Sequence, residues 1–240
     1  MTPTTNNDTL NTPTAVITGG SKGLGRVMTE TLLRRGWKVV TDARDGAALT
    51  TLPATPRLIT IAGDVNDAAH RRDLVGAAGP TVDLLINNAS TLGATPLRPL
   101  AEHDEAELHE VMNTNVFAPH ALTVALLPAL RSTDGVLINI SSDAAVEGYP
   151  TWGPYGTSKA ALDQWTRVLA AEEPTIAVYA ADPGDLRTDM HQAAFPGEDI
   201  SDRPLPDVAA PGLLRLIYER PPSGRYVVQD LGAQQRVVSA

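Results

Sequence analysis

The stretch TAVITGGSKGLGRVMTETLLRRGWKVV, residues 14–40, constrains the fold more than any other part of the chain. TAVIT is a short continuous apolar run, the composition of a strand buried on both faces of a sheet; a strand with one wet face would alternate. GGSKGLG follows, RVMTETLLRRG then places apolar residues at helical spacing, and WKVV opens a second apolar run. Strand, glycine turn, helix and strand make a βαβ unit, because neighbouring parallel strands need a crossover and the helix supplies it.

The rhythm repeats along the chain. PRLITIAGDV, VDLLINNAS, GVLINISS, TIAVYAADPG and SGRYVVQD read as further strands. DAAHRRDLVGAAG, EAELHEVMNTNVFAPHALTVALLPAL, YGTSKAALDQWTRVLAAEE and DVAAPGLLRLIYER read as the helices between them. This alternation predicts an α/β fold: a single-domain doubly wound parallel sheet, a Rossmann fold, with about seven strands and helices on both faces. Residues 13–240 form the expected domain. Residues 1–12, MTPTTNNDTLNT, lack a basic start and an apolar run, so they read as a disordered tail rather than a signal peptide or anchor. DMHQAAFPGEDISDRPLPD, residues 189–207, interrupts the rhythm with prolines and charges and reads as a substrate loop.

Charge and composition narrow the function. The net charge of −9, from 28 acidic and 19 basic residues, repels phosphate backbones and anionic lipid, so neither nucleic acid nor membrane is the expected partner. The longest apolar stretches, such as ALTVALLPAL, are shorter than a bilayer span, which predicts a soluble protein. The absence of cysteine removes disulfides, thiolate metal sites and cysteine nucleophiles, and it suits a cytoplasmic location. His70, His103, His109, His120 and His191 are scattered without metal-ligand spacing, so no metal is expected.

TGGSKGLG has Gly19, Gly20, Gly23 and Gly25 between strand and helix. Glycines there permit a tight turn, close approach of backbone to a pyrophosphate and close packing of helix on strand, with the phosphate at the positive helix end. The spacing is neither GxGxxG nor a Walker loop, since no GKS or GKT follows.

The loop resembles the TGxxxGxG fingerprint of the short-chain dehydrogenase/reductase family, and later motifs agree in order. They are GDV at 63–65, NNAS at 87–90, NTNVFAP around Asn115, NISS ending at Ser142, YGTSK at 155–159 and DPGDLRT at 182–188. The resemblance is close over residues 14–188. Ser90 departs from it, standing where the family usually has glycine. The resemblance implies a nicotinamide dinucleotide held by Gly19, Ser21, Lys22, Gly23, Leu24, Gly25, Arg44, Asp64, Val65, Asn88, Ala89, Tyr155, Lys159, Pro183, Gly184, Leu186 and Thr188.

A tyrosine phenol titrates near pH ~10 and is a poor acid or base at neutrality. Lys159 is four residues after Tyr155, on the same helix face, where an ammonium favours the phenolate, and a nicotinamide cation adds to that effect. Alone, the pair also reads as a packed ring beside a solvated amine. Ser142 ends a buried strand, at the carboxyl edge of the sheet where ligands bind; Ser141 is its competitor and faces the opposite way on an extended chain. The resemblance implies a catalytic tetrad of Asn115, Ser142, Tyr155 and Lys159, in which Ser142 holds the substrate oxygen and Asn115 orders a water on the proton path to the lysine. On its own, Asn115 also reads as a helix-kinking side chain bonded to its own backbone.

The cofactor form is read at the end of the second strand, VVTDARD. An acid there takes ribose hydroxyls, and a cation takes the extra phosphate. Alignment on the fingerprint puts Ala43 at the acidic position, followed by Arg44, and Lys22 adds a second cation, so NADP is favoured over NAD. A one-residue slip would instead put Asp42 on the ribose. Tyr149, Trp152, Met190, His191 and Phe195 flank the expected nicotinamide and suggest a partly apolar pocket.

The expectation is therefore an NADP(H)-dependent oxidoreductase that interconverts a ketone or aldehyde and an alcohol, with Tyr155 as proton donor and acceptor. A non-redox lyase, isomerase or epimerase on the same site remains the alternative, as does a nucleotide-sensing binding protein. The family's habit of packing its two long helices against counterparts implies a homodimer or homotetramer, with Trp165 and Val168 either on that face or lining the intrachain core.

Overall fold

The computed structural model describes residues 12–233, so most of the expected tail lies outside the described residues. In chain order the first half runs β1 Thr14–Ile17, α1 Gly23–Arg34, β2 Lys38–Ala43, α2 Gly46–Leu49, β3 Leu58–Ala62, α3 Ala68–Ala78 and β4 Leu84–Asn87. The second half runs α4 Glu105–Met112, a π-helical turn Asn113–Phe117, α5 Ala118–Arg131, β5 Val136–Ile140, α6 Gly153–Glu172, β6 Ala177–Asp182, α7 Asp189–Ala194, α8 Ala210–Glu219, β7 Gly224–Val227 and α9 Val228–Ala233. All seven strands pair in parallel in the order β3-β2-β1-β4-β5-β6-β7.

Successive residues of the central strands feed opposite layers. Ala15 and Ile17 of β1 pack with Val39, Leu84, Ile86 and Ile138 under α1 and α8. Val16 packs with Val40, Leu85, Leu137 and Val178 under α3, α5 and α6. Burial on both faces is why these strands read as unbroken apolar runs. The edge strand β3 is only half-buried.

The long helix expected from residue 105 onward is two helices joined by the π turn, which holds Asn115. Its start is a capping box: the Asp104 side chain accepts from the Glu107 amide, and the Glu107 side chain accepts from the Asp104 amide. The expected substrate loop opens as helix α7, because Thr188 accepts from the His191 amide and caps it. Strand order reverses between β1 and β4, and the carboxyl ends of the strands there open onto one cleft of about 660 Å³.

Candidate active site

The glycine turn is locked to the NNA segment. Thr18 Oγ1 accepts the amides of Asn88 and Ala89, both at 3.0 Å, and Asn88 Nδ2 donates to the carbonyls of Thr18 at 2.9 Å and Gly19 at 3.2 Å. Gly19 has φ +69°, and a Cβ there would sit 3.1 Å from Ala89 Cα and from Asn88 Nδ2. Helix α1 starts without a side-chain cap or an acidic residue in its first turn, and its first two residues, Gly23 and Leu24, line the cleft. A glycine cradle with an uncapped helix start fits a pyrophosphate.

The cleft is lined by Gly19, Ser21, Lys22, Gly23, Leu24, Arg44, Asp64, Val65, Asn88, Ala89, Pro183, Gly184, Leu186 and Thr188, together with Ser142, Tyr155 and Lys159. Gly25 does not line it. A Cβ there would come within 2.4 Å of the Gly19 carbonyl and 2.5 Å of Asn88 Nδ2, so Gly25 lets the helix close on the turn instead of facing a ligand. The Lys22 ammonium lies 3.2 Å from Asp189 on α7. Arg44 is exposed and makes no hydrogen bond or ion pair among the described residues.

Asp42 is buried and turned inward. Its Oδ1 accepts the Gly19 amide at 2.7 Å, and its Oδ2 lies 2.8 Å from Nε2 of the buried His70. Both carboxylate oxygens are engaged within the protein.

At the other end of the cleft, Ser142 leaves β5 and caps a short turn, its Oγ accepting the Ala144 amide and donating to Asp143 Oδ1 at 2.9 Å. Burial pushes the Tyr155 phenol well above its ordinary value, a hydrogen bond with Ser142 opposing. The same burial lowers the Lys159 amine to about 8, with Asp163 pulling it back up. Lys159 Nζ lies 5.4 Å from the Tyr155 ring centre and donates to the Ile140 carbonyl at 2.8 Å. The fields of Asp182, Asp143 and Asp185 add to the rise of the phenol.

Asn115 does not line the cleft. Its Nδ2 donates to the Thr91 carbonyl and to Ser158 Oγ, both at 2.9 Å, and its Oδ1 accepts from the Thr91 amide at 2.8 Å and from Ser90 Oγ at 3.0 Å. It ties the loop after β4 to the Tyr155 helix rather than to its own backbone. The Ser90 hydroxyl, the departure from the family pattern, is used in this bridge.

The short chain dehydrogenase family model matches residues 13–199. This chain belongs to the short-chain dehydrogenase/reductase family. Among its relatives, the short chain dehydrogenase penD of Penicillium thymicola is 35% identical over 209 residues, covering 79% of this chain and 76% of that protein. A sepiapterin reductase of Meriones unguiculatus is 35% identical over 199 residues, covering 75% of this chain and 76% of that protein. A short chain dehydrogenase from Escherichia coli, solved as a complex with NADPH, superposes with a TM-score of 0.83 at 29% identity, covering 90% of this chain and 96% of that one.

In this short-chain dehydrogenase/reductase the substrate side of the cleft gathers all five pocket residues expected from the loops: Tyr149, Trp152, Met190, His191 and Phe195. Trp152 meets Tyr155 edge-on at 5.7 Å and Phe195 at 6.0 Å between ring centres. Tyr149 donates to Asp143 Oδ2 at 2.9 Å.

Arg225 on β7 was not singled out by sequence reasoning. It donates to the Ser142 carbonyl at 2.9 Å, to Asp182 Oδ2 at 2.9 Å and to Asp163 Oδ2 at 3.0 Å. One guanidinium thereby joins the end of β5, the end of β6 and the helix that carries Tyr155 and Lys159. Burial raises the Asp182 carboxyl above its ordinary value, with the Gly184 amide and Arg225 opposing. No helix among the described residues is long and apolar enough to cross a membrane, and no group of three or more His, Cys, Asp or Glu among them is arranged to hold a metal.

Proposed function

We propose that this chain catalyses the NADP(H)-dependent interconversion of a ketone or aldehyde and an alcohol. The observation that carries the reading is the convergence of Ser142, Tyr155 and Lys159 at one end of a cleft whose other end is a glycine cradle with an Arg44 that has no partner among the described residues. The dinucleotide, when bound, supplies or takes up the hydride at the carbonyl carbon.

The chain's own residues handle the oxygen and its proton. In reduction Tyr155 gives its phenolic proton to the substrate oxygen, and in oxidation it takes that proton from the alcohol. Ser142 donates a hydrogen bond to the same oxygen. Lys159 holds the nicotinamide ribose and adds positive potential under the phenol. Asn115 positions the loop after β4 against the Tyr155 helix, at the start of the proton path. Leu92, Trp152, Met190 and Phe195 exclude water and suit a carbonyl with an apolar or aromatic substituent.

Arg44 favours the phosphorylated dinucleotide, and the NADPH complex of the Escherichia coli relative supports that preference. The exposed apolar side chains Phe117, Val124 and Val168, on the π turn, α5 and α6, support self-association as a dimer or tetramer. A cytoplasmic location is part of the same proposal and suits a chain without cysteine. The test is a panel of ketones and aldehydes followed by loss of NADPH absorbance. Oxidation of NADPH by some member supports the reading; conversion of substrates with the dinucleotide unchanged would assign a non-redox reaction instead.

A further inference from the structure

An acid near the end of β2 would oppose an extra phosphate on the adenosine ribose, and this chain has one there, Asp42, one residue before the position that Ala43 fills. Asp42 borders the cleft beside Ala43 and Arg44. A free carboxylate in that place accepts hydrogen bonds from ribose hydroxyls and repels a 2′-phosphate. Here both its oxygens are occupied, Oδ1 by the Gly19 amide and Oδ2 by His70, and the two side chains are 2% and 5% exposed.

The local architecture accommodates this pair. His70 comes from the first turn of α3, which Asp67 caps through the Ala69 amide. Its ring lies flat against Gly63, where a Cβ would fall 2.2 Å from the imidazole Nδ1. Any side chain at residue 63 would therefore push His70 off the carboxylate. The hydrogen bond to Asp42 comes first in holding the imidazole above its ordinary value; burial opposes it, and the fields of Asp42, Asp73 and Asp67 add to it. The nearby Asp45 carboxylate is engaged in capping α2. Arg44 is left as the cation at this end with no partner among the described residues.

We propose that His70 is a specificity-determining positioning residue: it sequesters the Asp42 carboxylate in a buried pair and so leaves the Arg44 end of the cleft open to a 2′-phosphate. The inference rests on the NADP(H) reading above and names the device that permits it. The histidine does not touch the dinucleotide; it acts through Asp42.

The test is direct binding of NADPH and NADH, followed by nucleotide fluorescence without substrate, in wild type, His70→Leu and His70→Leu/Asp42→Asn. Freeing one carboxylate near a phosphate lowers the NADPH-over-NADH preference of His70→Leu by about tenfold, and removing the charge in the double variant returns the preference to within about threefold of wild type. A histidine needed only for folding would weaken both nucleotides alike and would not be rescued by Asp42→Asn. His70→Gln spans the same distance without the ring that packs on Gly63, which covers the case in which His70→Leu does not fold; its looser hold on the carboxylate predicts a fall of about threefold. An unchanged preference in His70→Leu or His70→Gln overturns the inference and leaves the NADP(H) reading standing. A wild type that binds NADH in preference, or neither nucleotide, overturns that reading and the inference with it.

Discussion

Replacing Arg225 with methionine keeps much of the side-chain volume and removes one charge from three partners. The guanidinium side chain is 19% exposed, and the side chains of Asp163 and Asp182 are 2% and 5% exposed. Without it Asp163 keeps no hydrogen-bond partner among the described residues, since its Oδ1 already lacks one, while Asp182 keeps only the Gly184 amide among them. Breaking a buried ion pair by removing one member costs about 3–5 kcal/mol, mostly for the charge left behind. For a chain of this size, a fall in Tm of ~2–4 °C per kcal/mol puts the loss at roughly 6–20 °C. The Ser142 carbonyl loses its donor as well, so kcat is expected to fall further than the unfolded fraction at assay temperature explains. Denaturant unfolding and steady-state kinetics on the same preparations measure both effects. Adding Asp163→Asn to the methionine variant should recover part of the stability, because it removes the stranded charge. A stability loss below about 1 kcal/mol, typical of an exposed pair, would refute the reasoning.

Three further outcomes are expected. Carbonyl reduction needs Lys159 as an ammonium, so kcat/KM should fall as pH rises through about 8, and Asp163→Asn, which removes the carboxylate that raises this amine, should move the inflection to lower pH; a flat profile through pH 10 would contradict the role. Arg44→Ala should raise the Kd for NADPH by roughly ten- to a hundredfold, the worth of one or two charge-assisted contacts, while Asp42→Ala leaves NADPH binding nearly unchanged; loss of NADH use with Asp42→Ala would show the ribose on the acid instead. Light scattering at micromolar concentration should give a dimer or tetramer mass, and a clean monomer would leave Phe117, Val124 and Val168 without that explanation.

The central strands were legible because both faces are covered, which leaves mostly apolar runs such as LLIN and VLINI, whose single asparagines, Asn87 and Asn139, are buried and bonded to each other. The last strand was legible only in part: SGRYVVQD reads as extended throughout, whereas the chain turns into α9 at Val228. The motifs marked which residues meet in the cleft, but local spacing carries nothing about which side of the backbone each one faces. Gly25 and Asn115 belong to motifs that line the cleft and yet sit behind it, one admitting a close approach and the other bridging two elements. Arg225 was invisible for a different reason. Its three acceptors lie 43, 62 and 83 residues earlier in the chain, and only the parallel order of β5, β6 and β7 brings them together. The buried partner of Asp42, His70, likewise lies 28 residues on and in another element. The raised Tyr155 phenol follows from burial, which no spacing of tyrosine and lysine reports.

The central claim is that Tyr155 moves the proton in a reaction run by a dinucleotide held in the same cleft. Tyr155→Phe removes that proton and almost no volume, so the measurement is kcat for NADPH-dependent carbonyl reduction beside the Kd for NADPH in the same variant. The account predicts a fall in kcat of about 10²–10⁴-fold with the Kd within about threefold of wild type. A variant that turns over near the wild-type rate, or one that loses kcat only in proportion to lost NADPH binding, would contradict it.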